Sequence, residues 1–480
     1  MLRLVKVCRH IYPVWQACFM SMKLRRASEA TLKAPPMKAQ SLNTCTPSTS
    51  LPLLNPRAAG IDVGSRKMYV SVAGGPPQIF GCCTEDLRQL VRWLQEQGVS
   101  TVAMEATGVY WLCLYEHLEQ AKLPALVVNG AHVKSLPGRK SDMKDCQWLA
   151  TLHSHGLLRG GFVPPADIRR LRDYKRIRED LIRMASAHVL HMHQALERLN
   201  LKVHTVISSV IGWSGQRMIR ALVAGERDPH KLAALCDEQI LEKKRVPLLK
   251  ALEGNWKPEH LFALQIALEN WDFYQKQIQA CEAHMEPVLK QLAGTKPVPE
   301  LGKAKELRNN AVEIPELRKT MGQIYGADLA KIPGLNEYTV LLILSEIGVD
   351  LSRWPGVKSF TAWLGLAPAH GQSGNRCRRQ KRHGGIAGRI FCLAAQSLAR
   401  AKKSWLGSFY RRLSATRGKA VALKATARKI AQLFYLVLTK GWAYVEAGIE
   451  QYELRYRQMQ MRRLQALARE LAVQLPDTAN

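Results

Sequence analysis

Acidic residues are scarce in this chain. Its 480 residues include 39 Asp and Glu against 70 Lys and Arg, a formal net charge of +31, so its electrostatics call for a polyanionic partner. Paired cysteines are lacking too. The eleven cysteines are scattered, with no Cys-x-x-Cys and one adjacent doublet, Cys82-Cys83, which argues against a disulfide framework or a zinc site and for a reducing cytosol. No apolar run reaches the roughly 18 residues of a membrane span; Ile343 and Leu344 are followed at once by Ser345 and Glu346. A Gly-x-x-x-x-Gly-Lys-Ser/Thr phosphate loop is also missing, which fits chemistry that needs no external energy source.

What is present is ordinary soluble-domain material, 47% hydrophobic and 23% charged, enough for two to four domains at roughly 100–200 residues each. Arg3, Lys6 and Arg9 precede a largely apolar stretch, but Pro13, Gln16 and the want of a small-x-small site argue against a secretory signal. Residues 1–56, ending in a Ser/Thr/Pro/Asn-rich linker from 34, read as a basic, poorly ordered arm.

Residues 57–164 alternate in a β-like manner through Gly60-Ile61-Asp62-Val63-Gly64 and 68–73, with a third strand over 78–83. A helix over 85–97 follows, with Leu87, Leu90, Val91 and Leu94 on one face, then strand 101–104, helix 109–121 and strand 125–129. That order predicts a mixed α/β sheet of the RNase H type, and would equally suit half of an actin-like ATPase. Residues 165–330 carry long helical periods over 177–199, 239–252 and 258–289 and read as a helical or coiled-coil arm. Residues 331–448 read as a third, mainly helical unit. Pro333-Gly334 and Pro355-Gly356 precede helices 338–347 and 359–364 in the manner of a helix-hairpin-helix segment, a basic loop spans 369–385, and helices follow over 386–403 and 419–439. Residues 449–480 form a basic helical tail with Arg455, Arg457, Arg462 and Arg463.

Two constellations carry chemistry. Asp62 lies between Ile61 and Val63 in a strand, where an unpaired carboxylate is costly, and Glu105 follows the strand ending at Met104. Asp142 and Asp145 are three apart and share a helix face. Four carboxylates from two strands and a helix suit Mg²⁺ and phosphodiester chemistry. The second is the run from His370 to Gly385. Arg376, Arg378, Arg379, Lys381 and Arg382 supply charge for phosphates, and Ser373 stands between Gln372 and Gly374 with no bulky neighbour. Arg389, Lys424 and Arg428 extend the positive surface along helices. A turn residue is the ordinary role for such a serine, and a solvated helix face for each cation.

Gly60-Ile61-Asp62-Val63-Gly64, Met104-Glu105-Ala106-Thr107-Gly108, Lys140-Ser141-Asp142-Met143-Lys144-Asp145, Ile332-Pro333-Gly334, Trp363-Leu364-Gly365-Leu366-Ala367-Pro368 and Gln372-Ser373-Gly374 together resemble the DEDD transposases of the IS110 and IS1111 insertion-sequence families. The resemblance runs from about 58 to about 448, and 142–162 looks like the IS1111 branch. It implies a RuvC-like, RNase H-fold domain, a coiled-coil arm and a C-terminal transposase domain. It further implies that Asp62, Glu105, Asp142 and Asp145 bind Mg²⁺ and that Ser373 forms a covalent phosphoserine link to DNA. A structured noncoding bridge RNA would pair with donor and target DNA, so base pairing selects the sequence and the protein holds backbones. The enzyme would act as a dimer or tetramer, the serine of one subunit meeting the acids of another, in a bacterial cytoplasm beside the nucleoid. Residues 1–56 and the tail after 448 fall outside the resemblance. The rival expectations are a Holliday-junction-type metal-dependent nuclease, with Ser373 only a turn, and a non-catalytic nucleic-acid-binding regulator.

Overall fold

The computed structural model describes residues 52–130, 142–303, 311–368, 370–373, 376–379, 385–401 and 404–471, with backbone alone at 142–144, 370–373 and 376–379. Most of the expected N-terminal arm, the end of the tail, Lys381 and Arg382 lie outside the described residues. Among those described, no helix is long and apolar enough to cross a membrane, and the cysteines are free. The chain divides into two compact units, one up to Gly160 and one from Gly161.

The first unit holds β1 (Ala58–Val63), β2 (Met68–Val72), β3 (Gln78–Phe80), α1 (Thr84–Glu96), β4 (Thr101–Glu105), α2 (Trp111–Gln120), β5 (Ala125–Val128) and α3 (Asp142–Ser154). Its sheet runs β3-β2-β1-β4-β5. The first three strands pair antiparallel and β1, β4 and β5 pair parallel, consistent with the RNase H type of sheet. The antiparallel strands are joined by short turns, whereas each parallel step needs a helical crossover, supplied by α1 and α2. On α1 the buried face is Leu87, Leu90, Val91 and Leu94, the i, i+3, i+4, i+7 pattern of a one-sided helix.

Helix α3 lies flat on the sheet because β1 has no side chain at Gly60. A Cβ there would fall well inside the backbone N of Ala150 and the carbonyl O of Cys146 and 2.9 Å from the Ala150 Cα. Cys146, Leu149 and Ala150 are fully buried, and Leu149 and Leu152 close a small core with Ala103, Val128 and Leu158. Side-chain bonds fix the helix's position along the strands. His153 Nε2 and Thr101 Oγ1 are 3.0 Å apart at the start of β4, and Gln147 Nε2 donates to the Gly75 carbonyl at 3.0 Å.

The second unit is built around α4 (Ala166–Arg198) and α8 (Pro258–Ala293), of 33 and 36 residues, which pack along one another. At about 1.5 Å per residue each is roughly 50 Å long. Between them come α5 (Trp213–Val223), α6 (Pro229–Ala234) and α7 (Glu238–Leu252), which bury Met218, Leu222, Leu232 and Leu248 against Met192 and Leu268 of the long pair. The other end of the pair joins a larger core with α9 (Leu317–Tyr325), α10 (Glu337–Ile347), α11 (Val357–Trp363), α12 (Ile386–Ser397), α13 (Trp405–Arg417) and α14 (Lys419–Lys440). Its centre is Phe360, Phe391 and Phe434, all fully buried. Helix α15 (Trp442–Glu470) has one buried residue, Val445.

Long charged side chains tie α4 to this core. Buried Arg178 donates from Nε to Glu282 Oε1 on α8 at 2.6 Å, from one terminal nitrogen to the Tyr338 hydroxyl at 3.2 Å and from the other to the Ala311 carbonyl at 3.0 Å. Glu282 Oε2 accepts from the backbone N–H of Glu313 at 2.8 Å, so both carboxylate oxygens are satisfied. Arg172 donates to the Ser345 and Glu346 carbonyls, each at 3.0 Å, a cation at the carbonyl end of α10 where the helix dipole favours it.

Three sequence expectations change. The basic stretch predicted as a loop contains a two-stranded antiparallel pair, β6 (His370–Ser373) with β7 (Arg376–Arg379), Ser373 opposite Arg376. The pair Gly374-Asn375 between them is of the kind that joins hairpins. The helix predicted over 386–403 ends at Ser397, and α13 was not predicted at all, because it buries only Leu406 and Gly407. The helix predicted from 109 begins at Trp111.

Candidate acidic site and basic hairpin

The parallel register pairs Gly60 with Ala103 and Ile61 with Met104, so one step on, Asp62 stands beside Glu105 at the carboxyl ends of neighbouring strands. Side chains alternate along a strand. Asp62 therefore shares the face of Gly60, and Glu105 the face of Ala103, which is the face α3 covers. Both carboxylates are half-buried and both have interaction partners. The Glu105 side chain runs against Gly130, where a Cβ would collide with its carboxylate, so the second residue after β5 must be small for the acid to keep its place.

Helix α3 runs with its end at the start of β4, through the His153–Thr101 contact, and its beginning toward the carboxyl ends of β1 and β4. Asp145, half-buried, precedes the fully buried Cys146. Burial pushes the Cys146 thiol up to about 11, and the charges of Asp62 and Asp145 push in the same direction. That thiol therefore feels both carboxylates, one from the strand and one from the helix. Asp142 is the first residue of α3, one turn before Cys146, on the stripe that continues through Leu149 and Ala150; its side chain is outside the described residues.

Carboxylate oxygens from two strand ends and a helix are the donor chemistry of a hard divalent cation. Among the described residues, which include the side chains of Asp62, Glu105 and Asp145, no three His, Cys, Asp or Glu groups converge closely enough to hold one. Two apolar side chains beyond Glu105 were read in the sequence as helix. Val109 and Tyr110 instead stand in a turn, 68% and 48% exposed.

In the second unit the backbone of Ser373 ends β6 and faces Arg376, with Arg378 and Arg379 further along β7. The pairing places Ser373 and Arg376 at one end of the ladder and Arg379, opposite His370, at the other; their side chains are not described. Arg389 is exposed on α12, four residues past Gly385. Exposed Lys424 donates from Nζ to the Gly365 carbonyl at 3.5 Å, joining α14 to the turn after α11. Arg428, one turn on, is half-buried and its Nε has no hydrogen-bond partner. Trp354 is core, while Trp363 packs against it at a tilt of 51° with ring centroids 4.7 Å apart and stays 37% exposed.

Residues 59–201 match the family model for the DEDD domain of IS110 elements, described as a transposase. Residues 326–411 match a second model, described as the transposase IS116/IS110/IS902 family. The first segment contains all four acids and the second contains Ser373 and the arginines after it, while Lys424 and Arg428 lie beyond. No curated protein matches the chain.

Proposed function

The chain belongs to the IS110 family of transposases, and from that premise we propose that it cuts and rejoins DNA through a covalent bond to Ser373, assisted by Asp62, Glu105, Asp142 and Asp145. The observation that supports this best is the meeting of Asp62 and Glu105 on adjacent parallel strand ends beneath the helix that carries the other two acids. A bound divalent cation would there supply charge stabilisation of a phosphodiester transition state, and the four carboxylates are the residues that would hold it. The Ser373 hydroxyl loses its proton as its oxygen bonds to phosphorus, and the bond from phosphorus to a deoxyribose oxygen breaks, that oxygen leaving as a hydroxyl. The hydroxyl of an incoming strand then attacks the phosphoserine and releases the serine. One ester bond is exchanged for another at each step, so no external energy source is required. Arg376, Arg378, Arg379, Lys381 and Arg382 would neutralise the phosphate, and Arg389, Lys424 and Arg428 the flanking backbone.

In this reading the unit of 57–164 carries the acids, 165–330 forms the arm and 331–448 the serine domain, and two or more copies bring serine and acids together. Sequence is selected by a structured guide RNA paired to donor and target, since no base-reading module is evident and the surplus charge suits sequence-blind backbone binding.

The test is a denaturing gel for a protein–DNA adduct, with protein expressed beside its flanking noncoding DNA and given a nicked donor. Wild type is expected to form the adduct. Ser373→Ala should form none, and Asp145→Ala should reduce it by about 10³-fold or more. Cutting without any adduct, still lost in Asp145→Ala, would overturn the serine chemistry and leave a metal-dependent nuclease; binding with no cutting in any condition would leave a regulator.

A further inference from the structure

Far along the chain from Ser373, α13 and α15 face each other across a cleft of about 230 Å³. Its walls are Trp405 and Phe409 on α13 and Tyr452 and Tyr456 on α15. Within each pair the spacing of four residues puts both rings on one helix face. Trp405 and Tyr452 already touch, with ring centroids 5.2 Å apart. Behind the rings lie two cations. Lys429 Nζ is 5.0 Å from the Phe409 ring centre and 5.1 Å from that of Tyr452. The Arg412 guanidinium is 5.2 Å from the Tyr456 ring centre and donates to the Tyr452 hydroxyl at 3.3 Å. Burial holds the Lys429 ammonium below the usual lysine range, and the neighbouring charge of Arg412 adds to this.

Neither cation forms an ion pair with a carboxylate among the described residues. Positive charge is therefore concentrated behind aromatic faces in a chain of net +31. At the cleft the Ser404 hydroxyl is buried with no hydrogen-bond partner, a polar group that costs about 1–3 kcal/mol to leave unsatisfied. Glu453 and Arg457 complete the lining and offer an acceptor and a donor at the rim. The volume lies below the roughly 300–1,000 Å³ of sites for drug-sized molecules, which is the scale of one planar base.

We propose that this cleft binds one unstacked nucleotide of a single strand, its base among Phe409, Tyr452 and Tyr456 and its phosphate at Arg457 on the rim, with Arg412 and Lys429 adding positive potential from behind the rings. A duplex, whose bases are already stacked on one another, offers no free base face to these rings. Base-on-aromatic stacking is worth about 1–3 kcal/mol per base and tolerates any sequence. The site is independent of the strand-transfer reading, since binding alone reports on it.

The test is equilibrium binding of the full chain to a labelled ten-nucleotide adenine homopolymer, as DNA and as RNA, beside a blunt duplex of equal length. Tyr456→Ala is expected to weaken single-strand binding about tenfold, equivalent to about 1.4 kcal/mol, and to leave duplex binding unchanged. Tyr456→Phe, which keeps the ring, should remain within about twofold of wild type. A 2-aminopurine in the strand should lose fluorescence on binding wild type, a readout that does not depend on any variant folding. Loss with RNA alone, with DNA alone or with both supports the site, and assigns it to a guide, to a displaced strand or to either. Equal weakening of duplex and single strand, no weakening, an unquenched bound strand, or a changed oligomer mass in Tyr456→Ala, which would mean that a second copy fills the cleft, each overturns it.

Discussion

Glu282→Ala is expected to lower the unfolding free energy by about 3–5 kcal/mol, because it strands the Arg178 guanidinium in the interior. Arg178 is 1% exposed, and it pairs with the Glu282 carboxylate at 2.6 Å and also donates to the Tyr338 hydroxyl and the Ala311 carbonyl. The alanine variant removes the negative charge and also the acceptor of the Glu313 N–H. Ordinary exposed pairs, such as Arg88 with Glu85, contribute about 0–1 kcal/mol and serve as controls. The loss should be visible as a lower denaturant midpoint for the helical unit. A double variant, Arg178→Met with Glu282→Leu, should recover most of it, since uncharged residues of similar volume carry no desolvation penalty. A loss in Glu282→Ala of under about 1 kcal/mol would show that the guanidinium finds water or another partner.

The second large effect is at Gly60. An alanine in a strand is normally better than glycine by about 0.5–1 kcal/mol, but here the added carbon meets backbone atoms of Cys146 and Ala150, which have no rotamer to change. Overpacking of this kind costs about 1–3 kcal/mol, and relief requires α3 to lift from the sheet. Lifting moves Asp145 away from Asp62. A displacement near 1 Å at a reacting centre costs about 10²-fold, so Gly60→Ala should lower adduct formation by that factor even where the protein remains folded. Gly448→Ala is the control. No atom lies within 4 Å of a Cβ built there, and inside α15 the change should be neutral or slightly stabilising. Full adduct formation in Gly60→Ala would mean that the acids do not depend on the seating of α3.

The order of strands and helices from Ala58 to Val128 was legible because each element has a local signature: alternation for β1 and β2, the stripe of three leucines and a valine for α1, glycine and proline at the turns. Neighbourhood of Asp62 and Glu105 followed from the same elements, since parallel strands put their carboxyl ends on one edge. The hairpin of His370–Ser373 and Arg376–Arg379 was not legible by periodicity, because neither segment has alternating apolar residues in its sequence; Gly374-Asn375 was its one signal. Pairing of Arg178 with Glu282 spans 104 positions and has no local trace. The aromatic pairs Trp405/Phe409 and Tyr452/Tyr456, each one helical turn apart, do leave a trace in the sequence.

The long pair α4–α8 bears on how the chain finds its shape. The core at one end of the pair draws on residues from Ala185 to Trp271, a contiguous stretch that requires no distant partner. Once it is assembled, the end of α4 and the start of α8 are side by side, and the two helices can join outward from there turn by turn. The contact between positions 178 and 282 then closes a few flexible turns instead of an open loop of a hundred residues, with a correspondingly smaller entropy loss. A sequence separation that looks slow on paper is divided into short steps by the order in which the helices are threaded.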